Sequence, residues 1–319
     1  MSAVSLPPTS PTSPVTAMTS IASPSTFAHD RLPQRIVCLS TETVEVLYAL
    51  GEEERIVGIS GYTVYPPRAR QEKPKVFAFS SGDLARILAV EPDLVLCFSD
   101  LQADIARELI KAGVAVHVFN QRQVEGILAM ILTLGRLVGA SERAMALVGE
   151  LEACIAQASL AATQLPRRPR VYFEEWDDPS IAGIAWVSEL IAIAGGDDVF
   201  SDRAGKQAAV ERIIADPSEV VGRAPEIIIG SWCGKRFRPE KLAARPGWQE
   251  IPAVAAGRLH EIKSALILSP GPAAIREGLP ALRRLFDAWA ASTPIAATAV
   301  PVPGPPGGSG LNPATPPVE

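Results

Sequence analysis

Cysteine, histidine and aromatic residues are scarce in this chain of 319 residues, which has four cysteines, three histidines and 6% aromatics. The cysteines are widely separated: Cys38, Cys97, Cys154 and Cys233. Without a Cys-x-x-Cys pair, this spacing argues against a disulfide framework and against a zinc site. The histidines also lack metal-site spacing. The sequence therefore predicts neither a metal site nor an intrinsic cofactor.

The chain also lacks an excess of positive charge and a long apolar run. Its 30 lysines and arginines against 35 acidic residues give a net charge of −5, which argues against a polybasic nucleic-acid binder. The best candidate span, 124–138, is broken by Gly126, Thr133, Gly135 and Arg136, so no membrane span is expected. No phosphate-binding loop, dinucleotide fingerprint or nucleophile elbow indicates a catalytic apparatus.

Both ends of the chain have a composition typical of disorder. Residues 1–32 are rich in Ser, Thr and Pro, and residues 292–319 are rich in Pro and Gly, so we expect two disordered tails. The first segment has neither a basic start nor an apolar stretch of about 7 to 15 residues, which favours a cytoplasmic location. The chain as a whole is 47% apolar, which is enough for a large core in the intervening body.

Short β-branched runs alternate with helical patterns through the body, which is typical of an α/β fold with parallel sheets. Predicted strands cover residues 35–40, 55–60, 75–79, 93–98, 114–119, 170–176, 226–232 and 258–262. After the first strand, Thr41 is a plausible helix N-cap and Gly51 a plausible stop. Further helices are predicted at 82–90, 101–111, 185–196 and 272–289.

A stretch rich in Leu and Ala, 124–164, separates the two sets of strands and favours one long helix. We therefore predict a first α/β lobe at 33–123, a helical connector at 124–166 and a second lobe at 167–291. Ligands of open α/β sheets bind beyond the carboxyl ends of the strands, so the two lobes should share one cleft.

Candidate binding residues follow the predicted strands. Aromatic side chains there would form rigid walls for a flat or large apolar ligand. The candidates are Ser40, Tyr62, Tyr65, Phe79, Glu175, Trp176, Trp232 and Lys263. Phe77 and Trp186 are assigned instead to the strand-end core.

The densest acidic cluster comprises Glu174, Glu175, Asp177 and Asp178. Strand alternation would place Glu174 on the same face as Trp176 and Glu175 on the other face, while the two aspartates belong to a solvated turn before Pro179. Among the histidines, His117 interrupts an apolar strand and is assigned to the core. His260 is close enough to the predicted cleft to be considered as an axial metal ligand.

Several features together resemble a known family. They are the segments LSTETVEVLYALG and RIVGISGYTVYPP, a Gly-Asp-Leu helix leading into EPDLVLCF, a long helix and a second α/β lobe. They are similar to the substrate-binding proteins of cobalamin and iron-siderophore ABC importers, and look closest to the cobalamin-binding proteins. The resemblance covers about residues 33–290. It implies two lobes joined by a rigid helix, with a corrinoid or chelated metal between them.

Carried over by position, the resemblance places Tyr65 and Phe79 against the corrin. It places Glu175 or Trp176 where the family has an aromatic after the first strand of the second lobe. Residues 206 and 207, a lysine and a glutamine, stand where the family often has a tryptophan.

The resemblance also implies an ABC permease as a partner, which exported members contact through one glutamate on each lobe. The corresponding positions here are Ala85 and Ser218, with Glu219 adjacent to the second. Together with the missing signal peptide, this pattern looks similar to a cytoplasmic relative that has kept the cleft and lost the transporter.

The leading hypothesis is a non-enzymatic protein that binds a corrinoid, or a related metal chelate, between its lobes. One alternative is a chelatase or corrinoid-processing enzyme using Glu174, Glu175 or His260 as acid, base or metal ligand. Another is a cytoplasmic corrinoid sensor or delivery protein. Stacking aromatics suit corrinoids, haem and ferric siderophores alike, so the residues leave these three ligands open.

Overall fold

The computed structural model describes residues 32–77 and 84–292. The predicted tails lie outside the described residues apart from Leu32 and Ser292, and Phe79 lies outside them as well. The prediction of an α/β fold with two lobes is confirmed.

The first lobe is built on a parallel sheet. Its strands are β1 (Ile36–Cys38), β2 (Ile56–Ser60), β3 (Lys75–Phe77), β4 (Leu94–Phe98) and β5 (Ala115–Phe119). Their order across the sheet is β3-β2-β1-β4-β5. Every residue of β1 and β4 is buried, because helices cover both faces of such a sheet. The apolar runs predicted from the sequence contain these strands, which are one to three residues shorter.

Four helices in the described part of this lobe follow its strands. They are α1 (Thr41–Ala49), α2 (Ala69–Glu72), α3 (Leu84–Leu88) and α4 (Ala103–Lys111). The N-cap of α1 is Ser40, with an extended backbone at φ −132° and ψ 155°, so the prediction of Thr41 as N-cap is wrong by one residue. Gly51 has φ +68°, which is why a glycine follows the end of this helix, as predicted.

Two helices, rather than the single predicted one, connect the lobes: α5 (Val124–Leu137) and α6 (Ser141–Ala162). Gly139 adopts φ +72°, which interrupts the helical path between them. The two helices pack so closely at Gly135 that an added Cβ there would lie only 2.3 Å from the Cβ of Ala144. Helical composition alone does not reveal such a break.

Helix α6 is the one helix in the described ranges that is long and apolar enough to cross a membrane by length and composition. Its apolar face, including Leu147, Val148 and Leu151, is part of the core. Its other faces carry ion pairs, from Arg143 to Glu52 and from Glu150 to Arg276. Part of its apolar surface is therefore covered within the fold.

The second lobe has a mixed sheet with strands β6 (Arg170–Asp177), β7 (Ser180–Ala182), β8 (Asp197–Asp198), β9 (Ile227–Gly230) and β10 (Leu259–Glu261). The order is β10-β9-β6-β7, with β8 also paired to β6. Strand β7 is antiparallel to β6, and the turn between them contains Asp178 and Pro179, as predicted. Asp177, assigned to the same solvated turn, is instead the buried last residue of β6 and pairs with Lys235 and Lys241, so that part of the prediction is wrong. The short strands β7 and β8 were not predicted.

Short helices surround this second sheet. They are α7 (Ala185–Ile193), α8 (Ser201–Ala204), α9 (Ser218–Arg223), α10 (Pro239–Ala243), α11 (Pro252–Ala255) and α12 (Ser264–Ile267). A π-helical turn, Ala274–Gly278, then leads into α13 (Leu279–Ser292). One continuous apolar core contains residues of both lobes and of the connector, from Ile36 to Trp289.

A candidate ligand-binding cleft between the lobes

A cavity of about 530 Å³ lies between the lobes, at the carboxyl ends of the strands. Its volume is within the range of about 300–1,000 Å³ that is usual for small-molecule sites. The first lobe contributes residues that follow β1, β2 and β4. The second contributes residues at the end of β6 and after β7, β9 and β10. This is the edge at which ligands bind to open α/β sheets.

Four of the eight predicted binding residues line this cavity: Ser40, Tyr62, Glu175 and Trp176. Ser40 is buried at the start of α1, whereas Tyr62 is 63% exposed on the loop after β2. Trp186, which was assigned to the core, both packs there and lines the cavity. Its Nε1 donates a hydrogen bond to the carbonyl of Ile267 at 2.9 Å.

A β-bulge places Glu175 and Trp176 together on the cavity wall. Glu174 pairs with Ala182 across the β6–β7 ladder, and the next pair joins Trp176 to Ile181, so Glu175 has no partner of its own. An extra residue in one strand redirects the side chains that follow it. The predicted alternation, with Glu174 and Trp176 on one face, is therefore wrong.

Trp232 is a correction to the predicted site, because it is buried in the core of the second lobe and does not line the cavity. Its Nε1 donates to Oε1 of Glu174 at 2.9 Å. The same carboxylate accepts hydrogen bonds from Tyr172 and, through both oxygens, from Arg245. Because the Trp232 N–H and both oxygens of Glu174 are engaged in these hydrogen bonds, the two residues stabilise the lobe.

Tyr65 and Lys263 also lie away from the main cavity. Tyr65 lines a separate cavity of about 190 Å³ beside Tyr48 and Arg276. Lys263 is exposed, and its Nζ lies 2.7 Å from Oε1 of Glu261. Lys263 follows a strand that ends near the cavity, but its side chain forms this ion pair and does not line the cavity.

The carboxylate of Glu175 is held by a buried arginine that the sequence did not indicate. Nη1 of Arg212 lies 2.5 Å from Oε2 of Glu175 and 2.6 Å from the carbonyl of Ala182. Arg212 is 1% exposed, so the pair is held in a fixed geometry. Glu175 therefore presents a neutralised carboxylate to the cavity.

Two buried glutamates in α1 were missed by the sequence analysis. Glu42 lines the main cavity and Glu45 lines the smaller one, and each is almost fully buried. Burial raises the pKa of Glu42 to about 7, although its own backbone N–H and the Ser40 hydroxyl act in the opposite direction. Burial also raises the pKa of Glu45 well above its usual range, against the hydrogen bond from the Ala273 N–H.

Of the three groups proposed for the enzyme alternative, Glu175 lines the cleft and the other two do not. Glu174 belongs to the core network described above, and His260 lies on β10, away from the cavity lining. Burial and the nearby Arg258 lower the pKa of His260. Within the described ranges, no cluster of three or more His, Cys, Asp and Glu side chains could hold a metal ion.

The positions related to permease docking lie on short helices, one on each lobe. Ala85 is exposed on α3, and Ser218 is exposed on α9. Glu219 is half-buried and already forms ion pairs with Arg203 and Arg223.

Hydrogen bonds across the molecule hold the two walls of the cleft in register. The Ala273 N–H donates to Oε2 of Glu45 at 2.9 Å, and Nε2 of Gln121 donates to the carbonyl of Pro270 at 3.0 Å. Between these contacts, Gly271 lies against Glu42, where a Cβ would be 2.8 Å from the Cβ and 3.1 Å from the Cα of that residue.

We expect Gly271→Ala to lower the free energy of unfolding by about 1–3 kcal/mol, because the added methyl overpacks the junction of the loop with α1. Urea denaturation measures the change. The matched control is Gly149→Ala in α6, where an added Cβ meets nothing within 4 Å. That control should stabilise the protein by up to about 1 kcal/mol. A Gly271→Ala protein as stable as the parent would contradict this description of the junction.

The fold and the cleft define a class: a two-lobed α/β protein with a helical connection and an aromatic-walled binding cleft between its lobes. The model of the periplasmic binding protein family matches residues 36–266. The chain belongs to this family.

Similar proteins carry names that refer to corrinoids, transport and haem. A cobalamin-binding protein of Halobacterium salinarum is 26% identical over 63% of this chain, which spans 56% of that protein's length. An uncharacterised ABC transporter substrate-binding lipoprotein of Bacillus subtilis is 25% identical, with 78% of this chain and 79% of that protein covered. The solved periplasmic haem-binding protein of Roseiflexus shares the fold, with a TM-score of 0.69 at 24% identity over 81% of this chain and 98% of that one.

Proposed function

We propose that this protein is the substrate-binding component of an ABC importer and that it carries a corrinoid without changing it chemically. The observation that carries the proposal is the cavity between the lobes, walled by Tyr62, Phe98, Trp176 and Trp186. Flat aromatic surfaces bind a macrocycle through burial and dispersion, and the few polar groups fix its orientation.

The helical connection supports a carrier of limited motion. The lobes are held together by the shared apolar core and by two hydrogen bonds, from Ala273 to Glu45 and from Gln121 to Pro270. Ligand capture would then involve a small rocking of the lobes rather than a wide hinge closure.

We further propose that the protein works outside the cytoplasm, which replaces the cytoplasmic location expected from the sequence. The family to which the chain belongs and the transport lipoprotein of Bacillus subtilis that it resembles both favour this location. An ABC permease is then the proposed partner. The exposed surfaces around Ala85 and Ser218 are the places to test for contact.

Trp176→Ala is expected to weaken the binding of cyanocobalamin by about tenfold to a hundredfold, because the ligand loses one large apolar wall. Isothermal titration calorimetry, with absorbance spectra of the bound ligand, measures the affinity. Tyr62→Ala should act in the same direction and more weakly, because this side chain is more exposed.

The control is Leu160→Ala, which removes an apolar side chain that is 70% exposed on α6 and does not line the cleft. It should leave the affinity unchanged. Equal affinities of the Trp176→Ala and Leu160→Ala proteins would place the corrinoid elsewhere. A corrinoid spectrum that changed progressively during incubation would overturn the carrier assignment in favour of an enzyme.

A further inference from the structure

The charge on the wall of the cleft is one-sided. Glu42 and Glu175 line the cavity, whereas no lysine, arginine or histidine of the described residues does so.

Cations that lie close behind the wall are already paired with acids. Arg212 is engaged by Glu175, as described above. Nζ of Lys235 lies 3.8 Å from the ring centroid of Trp176 and 2.9 Å from Oδ1 of Asp177. These ion pairs leave Glu42 as the uncompensated charge of the cavity wall.

Glu42 is held in this position by both lobes. It lies in the first turn of α1, is 3% exposed and packs against Gly271 of the second lobe. Its Oε1 is buried and has no hydrogen-bond partner among the described residues. A buried acceptor without a donor is costly, so a ligand that supplies a donor gains affinity by relieving this cost.

We propose that Glu42 is the residue that sets the charge specificity of the cleft, by accepting a hydrogen bond from an N–H or metal-bound water of the ligand and by repelling ligand carboxylates. This inference rests on the proposed function and deepens it. Corrinoids carry carboxamide side chains and a cationic cobalt centre, whereas haem carries two propionates. The cleft therefore favours neutral or cationic corrinoids over anionic tetrapyrroles.

The test compares two corrinoids that differ in charge. Cobinamide carries carboxamides, and cobyrinic acid carries carboxylates at the same positions of the ring. Affinities for both, and for haem, are measured at pH 8 by calorimetry for the parent, Glu42→Gln and Glu152→Gln. The last variant is the matched control, because it makes the same change of charge at an exposed position of α6.

We expect the parent to prefer cobinamide over cobyrinic acid and over haem. Glu42→Gln should reduce this preference by about tenfold or more. Only the parent has a charged carboxylate here, which accepts the stronger hydrogen bond and repels the carboxylates of a ligand. Glu152→Gln should preserve the preference. Glu42→Ala is measured beside these variants, since it removes the acceptor as well as the charge and should also weaken cobinamide binding.

Two results would overturn the inference, and a third would overturn the proposed function. If cobinamide binds and its preference over cobyrinic acid is the same in the parent and in Glu42→Gln, the role of Glu42 is wrong while the carrier assignment stands. If haem binds to the parent more tightly than cobinamide, the predicted charge preference is wrong. If no corrinoid binds to the folded parent protein, the proposed function itself fails.

Discussion

Arg245→Met is expected to lower the free energy of unfolding by about 3–5 kcal/mol, because it removes the charged partner of a buried carboxylate. Glu174 is fully buried, and Arg245 donates to both of its oxygens, at 2.5 and 3.0 Å. Tyr172 and Trp232 would remain as its donors, and neither carries a compensating charge. Urea or guanidinium denaturation followed by circular dichroism measures the change.

The control for this prediction is Arg107→Met, which disrupts exposed ion pairs on α4. Its effect should stay within about 0.5 kcal/mol, since exposed pairs contribute little. Adding Glu174→Gln to Arg245→Met should recover part of the loss, because the unpaired charge is then gone. If Arg245→Met and Arg107→Met unfolded at the same denaturant concentration, the network around Glu174 would not have the role given to it here.

The stability of the protein should depend on pH through Glu42 and Glu45. In the unfolded chain Glu42 ionises near its usual pKa of 4.5, whereas in the folded protein its pKa is about 7. Between these values the folded state binds more protons than the unfolded state. The contribution of Glu42 to the free energy of unfolding therefore falls as pH rises through this window, by about 3 kcal/mol at most. Glu45 acts in the same direction.

Other groups near the two glutamates, or titrating in the same window, modify this dependence. The buried Cys38 thiol and Glu45 interact with Glu42, and Arg276 faces Glu45 from the second lobe. The pKa values of His117 and His260 are lowered by burial, so their contributions to stability rise with pH and oppose those of the glutamates. A comparison with a variant is therefore needed to isolate Glu42.

The isolating variant is Glu42→Gln. Its stability relative to the parent should increase between pH 5 and pH 8, so that it becomes the more stable protein at pH 8. Denaturation curves at four pH values in this range give the difference directly. A stability difference that is independent of pH would mean that Glu42 does not titrate as a buried group in this range.

Much of the fold follows from local patterns. Eight of the ten strands and the helices α1 and α4 were predicted within a few residues, because β-branched runs, amphipathic spacing and glycine stops act over short distances. The break between α5 and α6 was not predicted. It depends on the positive φ of Gly139 and on the close approach of Gly135 to Ala144, which residue composition does not encode.

Part of the cleft also followed from topology. Ser40, Tyr62, Glu175 and Trp176 were selected because they come after parallel strands, and the structure brings all four to one cavity. Their role in binding remains a prediction. Trp232 satisfied the same criterion and lies in the core, because the buried Glu174 accepts its N–H.

The sequence by itself determined the α/β class, the two lobes and the edge at which the cleft lies, since these depend on periodicity and on strand direction. Only the tertiary structure decided which side chains face the cleft and which charges remain uncompensated there. Glu42 reads in the sequence as an ordinary acid in the first turn of a helix. It becomes a buried carboxylate with one unpartnered oxygen because the second lobe, with Gly271 more than 200 residues away, packs against it.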